Sequence, residues 1–117
     1  MKILIVLIAG LSLLGTARAD EAAAEIEHLL QAIGSSDCTF VRNGKQHSAE
    51  AAEQHLRMKY RRGKRYADTT EHFIDRLATA SSWSKKPYMI ECPGDDPAPT
   101  GIWLHLRLSE YRALDQR

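Results

Sequence analysis

The sequence is short of several things, and each shortage excludes something. Its net charge is only +1, from 16 Lys+Arg against 15 Asp+Glu. That excludes a strongly basic nucleic-acid protein and an acidic disordered tail. It has two cysteines and no C-x-x-C spacing, so a thiolate zinc site lacks its ligand set. No two histidines form an H-x-x-x-H pair. No repeat or low-complexity tract occurs, which excludes solenoids. The longest apolar run, Ile3 to Leu14, is 12 residues long and is broken by Gly10 and Ser12. A membrane-spanning helix needs roughly 20 apolar residues. A chain of 117 residues is too short for a multidomain enzyme or a membrane bundle.

What is present begins with an export pattern. Met1-Lys2 is a short positive region, the apolar run follows, and Ala17-Arg18-Ala19 has the small-x-small form that signal peptidase accepts. Residues 1–19 are therefore expected to be a cleavable signal peptide, with 3–15 a helix that has little to pack on. Residues 20–117 form the expected single domain, and the expected compartment is the periplasm. Without Lys2 and Arg18 the net charge becomes −1. No Cys lies near the cleavage site, which excludes a lipoprotein anchor. Of the 98 remaining residues, 12 are Ala and only 26 are larger or sulfur-bearing apolar side chains, so the core is modest.

In an exported chain an even pair of cysteines implies a disulfide, here Cys38–Cys92. Each lies in a strand-like segment, 38–42 and 88–92. If these strands are antiparallel with Cys38 opposite Cys92, Phe40 faces Ile90 and Arg42 faces Tyr88. All six side chains then share one face. A parallel pairing would place Phe40 opposite Gly94, beyond the strand end, so the antiparallel arrangement is preferred. Closing a loop of about 55 residues is worth roughly 4 kcal/mol in the chain-entropy model.

Ile26, Leu29, Leu30 and Ile33 form a helical stripe over 21–33, with Asp20 as cap and Glu25, Glu27, His28 and Gln31 on the outer face. Asn43-Gly44 is a hairpin signal, returning as a short strand at 45–47. Ser48 caps a helix over 49–62 with a thin inner face of Ala49, Ala52, Leu56 and Tyr60. Asp68-Thr69-Thr70-Glu71 has a capping-box pattern and opens a helix over 70–80, whose inner face is Phe73, Ile74, Leu77 and Ala78. Residues 95–99 read as a rigid exposed connection. Residues 101–115 fit either a strand or a helix; length and composition favour the helix. The expected fold class is α+β, with a small antiparallel sheet of two or three strands, about four helices and one disulfide.

Three blocks of residues carry a family resemblance. The first is Phe40-Val41-Arg42-Asn43-Gly44, His47 and Ala52-x-x-His55-Leu56-x-x-Lys59. The second is Asp68-Thr69-x-Glu71-x-Phe73-Ile74 with Ser81-Ser82. The third is Lys86-Pro87-Tyr88-x-Ile90-x-Cys92-Pro93-Gly94 with Trp103-Leu104. The chain thus resembles the YfeK-like family of small exported bacterial proteins of unknown function. It departs from the pattern at Lys85, where Gly is expected before Lys-Pro-Tyr. The resemblance implies a bacterial periplasmic setting and no particular activity.

The residues single out one candidate patch: Arg42, Asn43, His47, His55 and Lys59, with Ser81 near it. The leading expectation is a non-enzymatic binding or interaction module of the envelope. Its expected partner is an envelope protein or an anionic glycan or lipid surface, not nucleic acid. A second reading is a small hydrolase with His47 or His55 as general base. A third is surface attachment through the basic stretch 59–65. His28, His72 and His105 are expected at the surface. Ser82-Trp83-Ser84-Lys85 matches S-x-x-K, but S-D-N and K-T-G are missing, so no catalytic residue is assigned, and no metal or cofactor. Arg42, Tyr88, Trp83 and Trp103 either line a groove or serve packing, with Trp103 in the core and Arg42 on the Tyr88 ring.

Overall fold

The computed structural model describes Ile3 and residues 11–115, the side chains of 11–17 excepted. The elements are α1 (Leu11–Gly34), β1 (Thr39–Arg42), β2 (Lys45–His47), α2 (Ala49–Arg62), α3 (Thr70–His72 continuing as Phe73–Ala78), β3 (Met89–Glu91), β4 (Ala98–Pro99) and α4 (Thr100–Asp115). Residues 1, 2 and 4–10 of the expected signal peptide lie outside the described residues. From Leu11 the backbone is helical without a break to Gly34. Asp20 therefore does not cap a helix, because the Leu- and Ala-rich segment before it propagates one. Among the described residues no helix is long and apolar enough to cross a membrane.

The sheet is antiparallel in the order β2-β1-β3-β4, so the fold is α+β. Phe40 stands opposite Ile90 and Thr39 opposite Glu91, the register that a Cys38–Cys92 bridge dictates. The bridge is present. The ladder stops at Val41↔Met89. Arg42 and Tyr88 lie one step past it, and the Tyr88 amide donates instead to Thr79 O at 2.9 Å. The sheet has four strands, against two or three expected. The extra one is Ala98–Pro99, paired to β3. A proline-flanked dipeptide reads as loop in sequence, yet Pro is tolerated on an edge strand.

The core is built from the expected faces. Ile26, Leu29, Leu30 and Ile33 of α1 are buried together with Ala52 and Leu56 of α2 and with Phe73, Ile74, Leu77 and Ala78 of α3. Phe40 and Ile90 from the sheet and Leu104 and Leu108 from α4 complete it. Residues 100–115 are helical, which settles the ambiguity for the helix. α3 changes from α to π winding at Phe73, and Thr79 Oγ1 donates to Ile74 O at 2.7 Å where that winding ends.

Two polar features differ from expectation. Glu25 is buried, at 4% exposure, not on the outer face. It accepts hydrogen bonds from Thr70 Oγ1 at 2.6 Å and Arg112 Nε at 2.7 Å. The first turn of α3 is capped by Thr69, whose hydroxyl accepts from the His72 amide. Asp68 is drawn away to the His72 imidazole and Glu71 to Arg112, so no capping box forms. His28 is exposed, whereas His72 and His105 are half-buried. His105 pairs with Asp75 at 2.7 Å.

Candidate functional site

The polar residues gather at the end of β1 that lies away from the disulfide. β1 delivers Arg42 and then turns through Asn43 and Gly44, at φ 52° and 77°. Two successive positive φ angles are what a tight antiparallel hairpin requires, and Asn-Gly meets the requirement at least strain. Tyr88 lies opposite. Its amide is held by Thr79, and its carbonyl accepts from the Thr100 amide at 2.8 Å. α2 passes alongside, capped by Ser48, which accepts from the Ala51 amide. Its positions 55 and 59 are one turn apart on the same face.

His55 and Lys59 meet at the Tyr88 hydroxyl. His55 Nε2 is 3.3 Å from that oxygen. Lys59 Nζ donates to it at 3.1 Å, and to Ala80 O at 3.1 Å. The same ammonium lies 5.0 Å from the Tyr88 ring centroid. Burial, followed by the charges of Arg42, Lys59 and His47, pushes the His55 imidazole down to about 4. It is therefore neutral at pH 7, and in the Nδ1–H tautomer its Nε2 accepts from the tyrosine O–H. In that tautomer the donors run one way, from Lys59 to Tyr88 to His55. Burial, then Arg42 and Lys85, brings the Lys59 ammonium down to about 8. Burial raises the Tyr88 phenol.

These groups form one wall of a cleft of about 570 Å³. Arg42, Asn43, His55 and Lys59 line it with Tyr88, Arg62, Tyr66, Ser81, Ser82 and Trp83. Among the described residues no carboxylate lines it, and neither Arg42 nor Lys59 is ion-paired. A pocket with cations and no counter-charge is chemically suited to an anion. Next to it, sharing Arg42, His55 and Tyr88, is a smaller hollow of about 30 Å³ that His47 and Thr100 also line. His47 Nε2 and Thr100 Oγ1 are buried without a hydrogen-bond partner. The hollow has room for a water. Burial, then Arg42 and Lys45, lowers the His47 imidazole as well.

The predicted patch is thus divided. Four of its five residues share the cleft, while His47 lines the smaller hollow beside it. Ser81 also lines the cleft. It is buried, and its Oγ accepts from Asn43 Nδ2 at 3.4 Å and from the Ser84 amide at 3.2 Å. The Ser84 hydroxyl in turn donates to Asn43 Oδ1. The β1–β2 turn is therefore stitched to the 81–86 loop. That loop bends at Lys85, φ 65°, a left-handed conformation that favours glycine. The departure from the family pattern thus falls where the backbone has most use for Gly. Trp83 stands at the cleft mouth, 94% exposed. Trp103 is not in the groove: it packs against the core under the Arg107 guanidinium, 5.0 Å from its centroid. The cation over the Tyr88 ring is Lys59, not Arg42.

The basic stretch 59–65 does not form one stripe. Lys59 turns into the cleft, whereas Arg65 covers Tyr66 and Lys64 lies over Tyr60. Sequence reasoning missed Arg62, Tyr66 and Thr100 as lining residues. Arg62 carried the only usable signal, one turn from Lys59.

Comparison with known proteins bears on identity, not on chemistry. Over 66 residues the chain is 46% identical to the uncharacterized protein YfeK of Salmonella typhimurium (strain LT2). The match covers 56% of this chain and 55% of that protein, so it spans about half the relative's length. No solved structure matches. The family model described as a family of unknown function, DUF5329, matches residues 20–112. With nearly all of the described domain inside that match, the chain belongs to this YfeK-like family, DUF5329.

Proposed function

We propose that this protein is an exported, periplasmic, non-enzymatic binding module of the bacterial envelope. Its ligand engages the cleft through an anionic group. One observation carries the reading: Arg42, Lys59 and Arg62 line a single cleft in which no carboxylate stands among the described residues. Export is supported by the leader pattern of residues 1–19 and by the Cys38–Cys92 bridge, which suits an oxidising compartment. The ligand belongs to an envelope protein or an anionic glycan or lipid.

The test is a titration of the folded chain with acetate, phosphate and citrate at constant ionic strength, followed by amide NMR. Shifts concentrated at Arg42, Asn43, Lys59 and Ser81 are expected, and they should be lost in Arg42→Ala. Shifts spread evenly over the exposed Lys and Arg residues would defeat the reading. A pull-down from envelope extract extends the test. Wild type and an Arg42→Ala/His55→Ala variant should retain different partners.

A second reading, hydrolysis with His55 as general base, has one observation in its favour. The imidazole is neutral and its Nε2 lies 3.3 Å from a hydroxyl oxygen, that of Tyr88. Turnover of generic ester substrates that disappears in His55→Gln would support it.

A further inference from the structure

We propose that Lys59 is a covalent capture site: its amine condenses with a small aldehyde or α-keto acid that carries an anionic group. The inference rests on the cleft reading for the anion, and goes beyond it for the bond.

Geometry comes first. A lysine nitrogen has four tetrahedral positions. In Lys59 one is Cε and two are donors, to Ala80 O and the Tyr88 hydroxyl. A neutral amine keeps both donors and carries its lone pair at the fourth position. Lys59 lines the cleft, so that position is the one left for a ligand. An exposed lysine has no such arrangement, since its ammonium rotates freely in water.

Surroundings come second. The charged and titratable groups facing Lys59 are Arg42 from β1, Lys85 from the 81–86 loop, His55 and Arg62 from its own helix, and Tyr88 before β3. Among the described residues none is a carboxylate. Desolvation together with neighbouring cations is a known means of activating an amine nucleophile. It brings this ammonium down to about 8, so roughly a tenth of Lys59 is the free amine at pH 7, far more than for an ordinary lysine. The same cations attract a carbonyl compound bearing a carboxylate or phosphate.

The step balances without any oxidant. The Nζ lone pair attacks the carbonyl carbon, and the C=O π pair moves to oxygen. A proton passes from nitrogen to that oxygen, giving a carbinolamine. Loss of water then leaves an imine between Lys59 and the former carbonyl carbon. Nothing further is consumed, and capture is stoichiometric and reversible.

The test uses the full folded chain with two probes, glyoxylate and propionaldehyde, each with cyanoborohydride to fix the imine. Peptide mapping reads the extent of labelling at every lysine, and the exposed Lys45, Lys64 and Lys86 are internal standards. With either probe Lys59 should react about tenfold faster than these at pH 7.5. The rate at Lys59 should level off above pH 8 while theirs still climbs. The glyoxylate-to-propionaldehyde ratio should be several-fold higher at Lys59 than at the standards. If Lys59 reacts no faster than the standards, capture is overturned, and a normal anion titration would leave the binding reading standing. Fast labelling with equal probe ratios at all sites overturns the anionic half. Should the anion titration fail as well, the binding reading falls with that half.

Discussion

Arg112 reaches across 87 residues of sequence to Glu25 and closes a two-point bond on its carboxylate, at 2.7 and 3.0 Å. The same guanidinium holds Glu71 at 2.9 Å. One side chain near the end of α4 therefore fastens α1 and α3 together. Thr70 completes the site through its hydroxyl, so a buried carboxylate is fully partnered.

Removing Arg112 leaves that carboxylate in the interior with Thr70 alone. Because the Arg112 side chain is 41% exposed, solvent screens part of the loss. Arg112→Ala should destabilise by about 2 kcal/mol, and Glu25→Gln by less, since the amide retains bonding capacity. Urea unfolding at pH 7 reads both. The Arg112 bond holds the Glu25 carboxyl below its ordinary 4.5. An unfolded chain therefore takes up the proton first. The contribution is complete above about 4.5 and is lost as pH falls through the folded value. Wild type should lose its advantage over Glu25→Gln in that range.

A second pH effect comes from the cleft. The His55 imidazole titrates at about 4 when folded and at 6.5 otherwise. Between those values the unfolded chain binds more protons, so stability should rise with pH from about 4 to 6.5. His47 is lowered too and adds in the same direction. Lys59, at about 8 against 10.5, should add a second rise across that higher interval. Urea midpoints at half-unit pH steps would show both. In His55→Gln the lower rise should shrink while the upper one stays.

The disulfide closes a separation of 54 residues, and its loss should cost roughly 4 kcal/mol in the chain-entropy model. Cys38→Ala/Cys92→Ala should unfold at a markedly lower urea concentration than wild type. Reductant should lower the wild-type midpoint toward the variant and leave the variant unmoved.

Lys85 combines a left-handed backbone with a charge that lowers the Lys59 ammonium. Lys85→Gly relieves a strain of about 1 kcal/mol, partly offset by the freedom glycine gains on unfolding. Thermal stability should hold or rise slightly. The Lys59 side-chain NMR titration should move upward from about 8, because one of its two named repelling cations is gone. A midpoint that stays put would remove Lys85 from the cleft's electrostatics.

The sequence made legible what local periodicity and one covalent constraint control. The stripe Ile26, Leu29, Leu30, Ile33 and the face Phe73, Ile74, Leu77, Ala78 follow from helical spacing. The pairing of Phe40 with Ile90 follows from placing Cys38 opposite Cys92. The candidate patch was readable up to the chain turn, because His55 and Lys59 are one helical turn apart and Asn43-Gly44 marks the hairpin beside them. What escaped depends on distant partners. Glu25 looks like a surface residue until Arg112 and Thr70 are placed beside it. Ala98–Pro99 becomes a strand only because β3 has a free edge. Asp68 and Glu71 satisfy a capping pattern locally, but His72 and Arg112 bind them more strongly.

The bridge has a consequence at the other end of β1. Sliding β1 against β3 by one residue would turn every side chain of the strand to the opposite face. Phe40 would leave the core, and Arg42, four positions from Cys38, would leave the cleft. β1 has four residues and β3 has three, too few for ladder bonds alone to forbid such a slip. The sulfur–sulfur bond forbids it absolutely. It proofreads the alignment of the sheet, and the direction in which Arg42 points is one of the letters it checks.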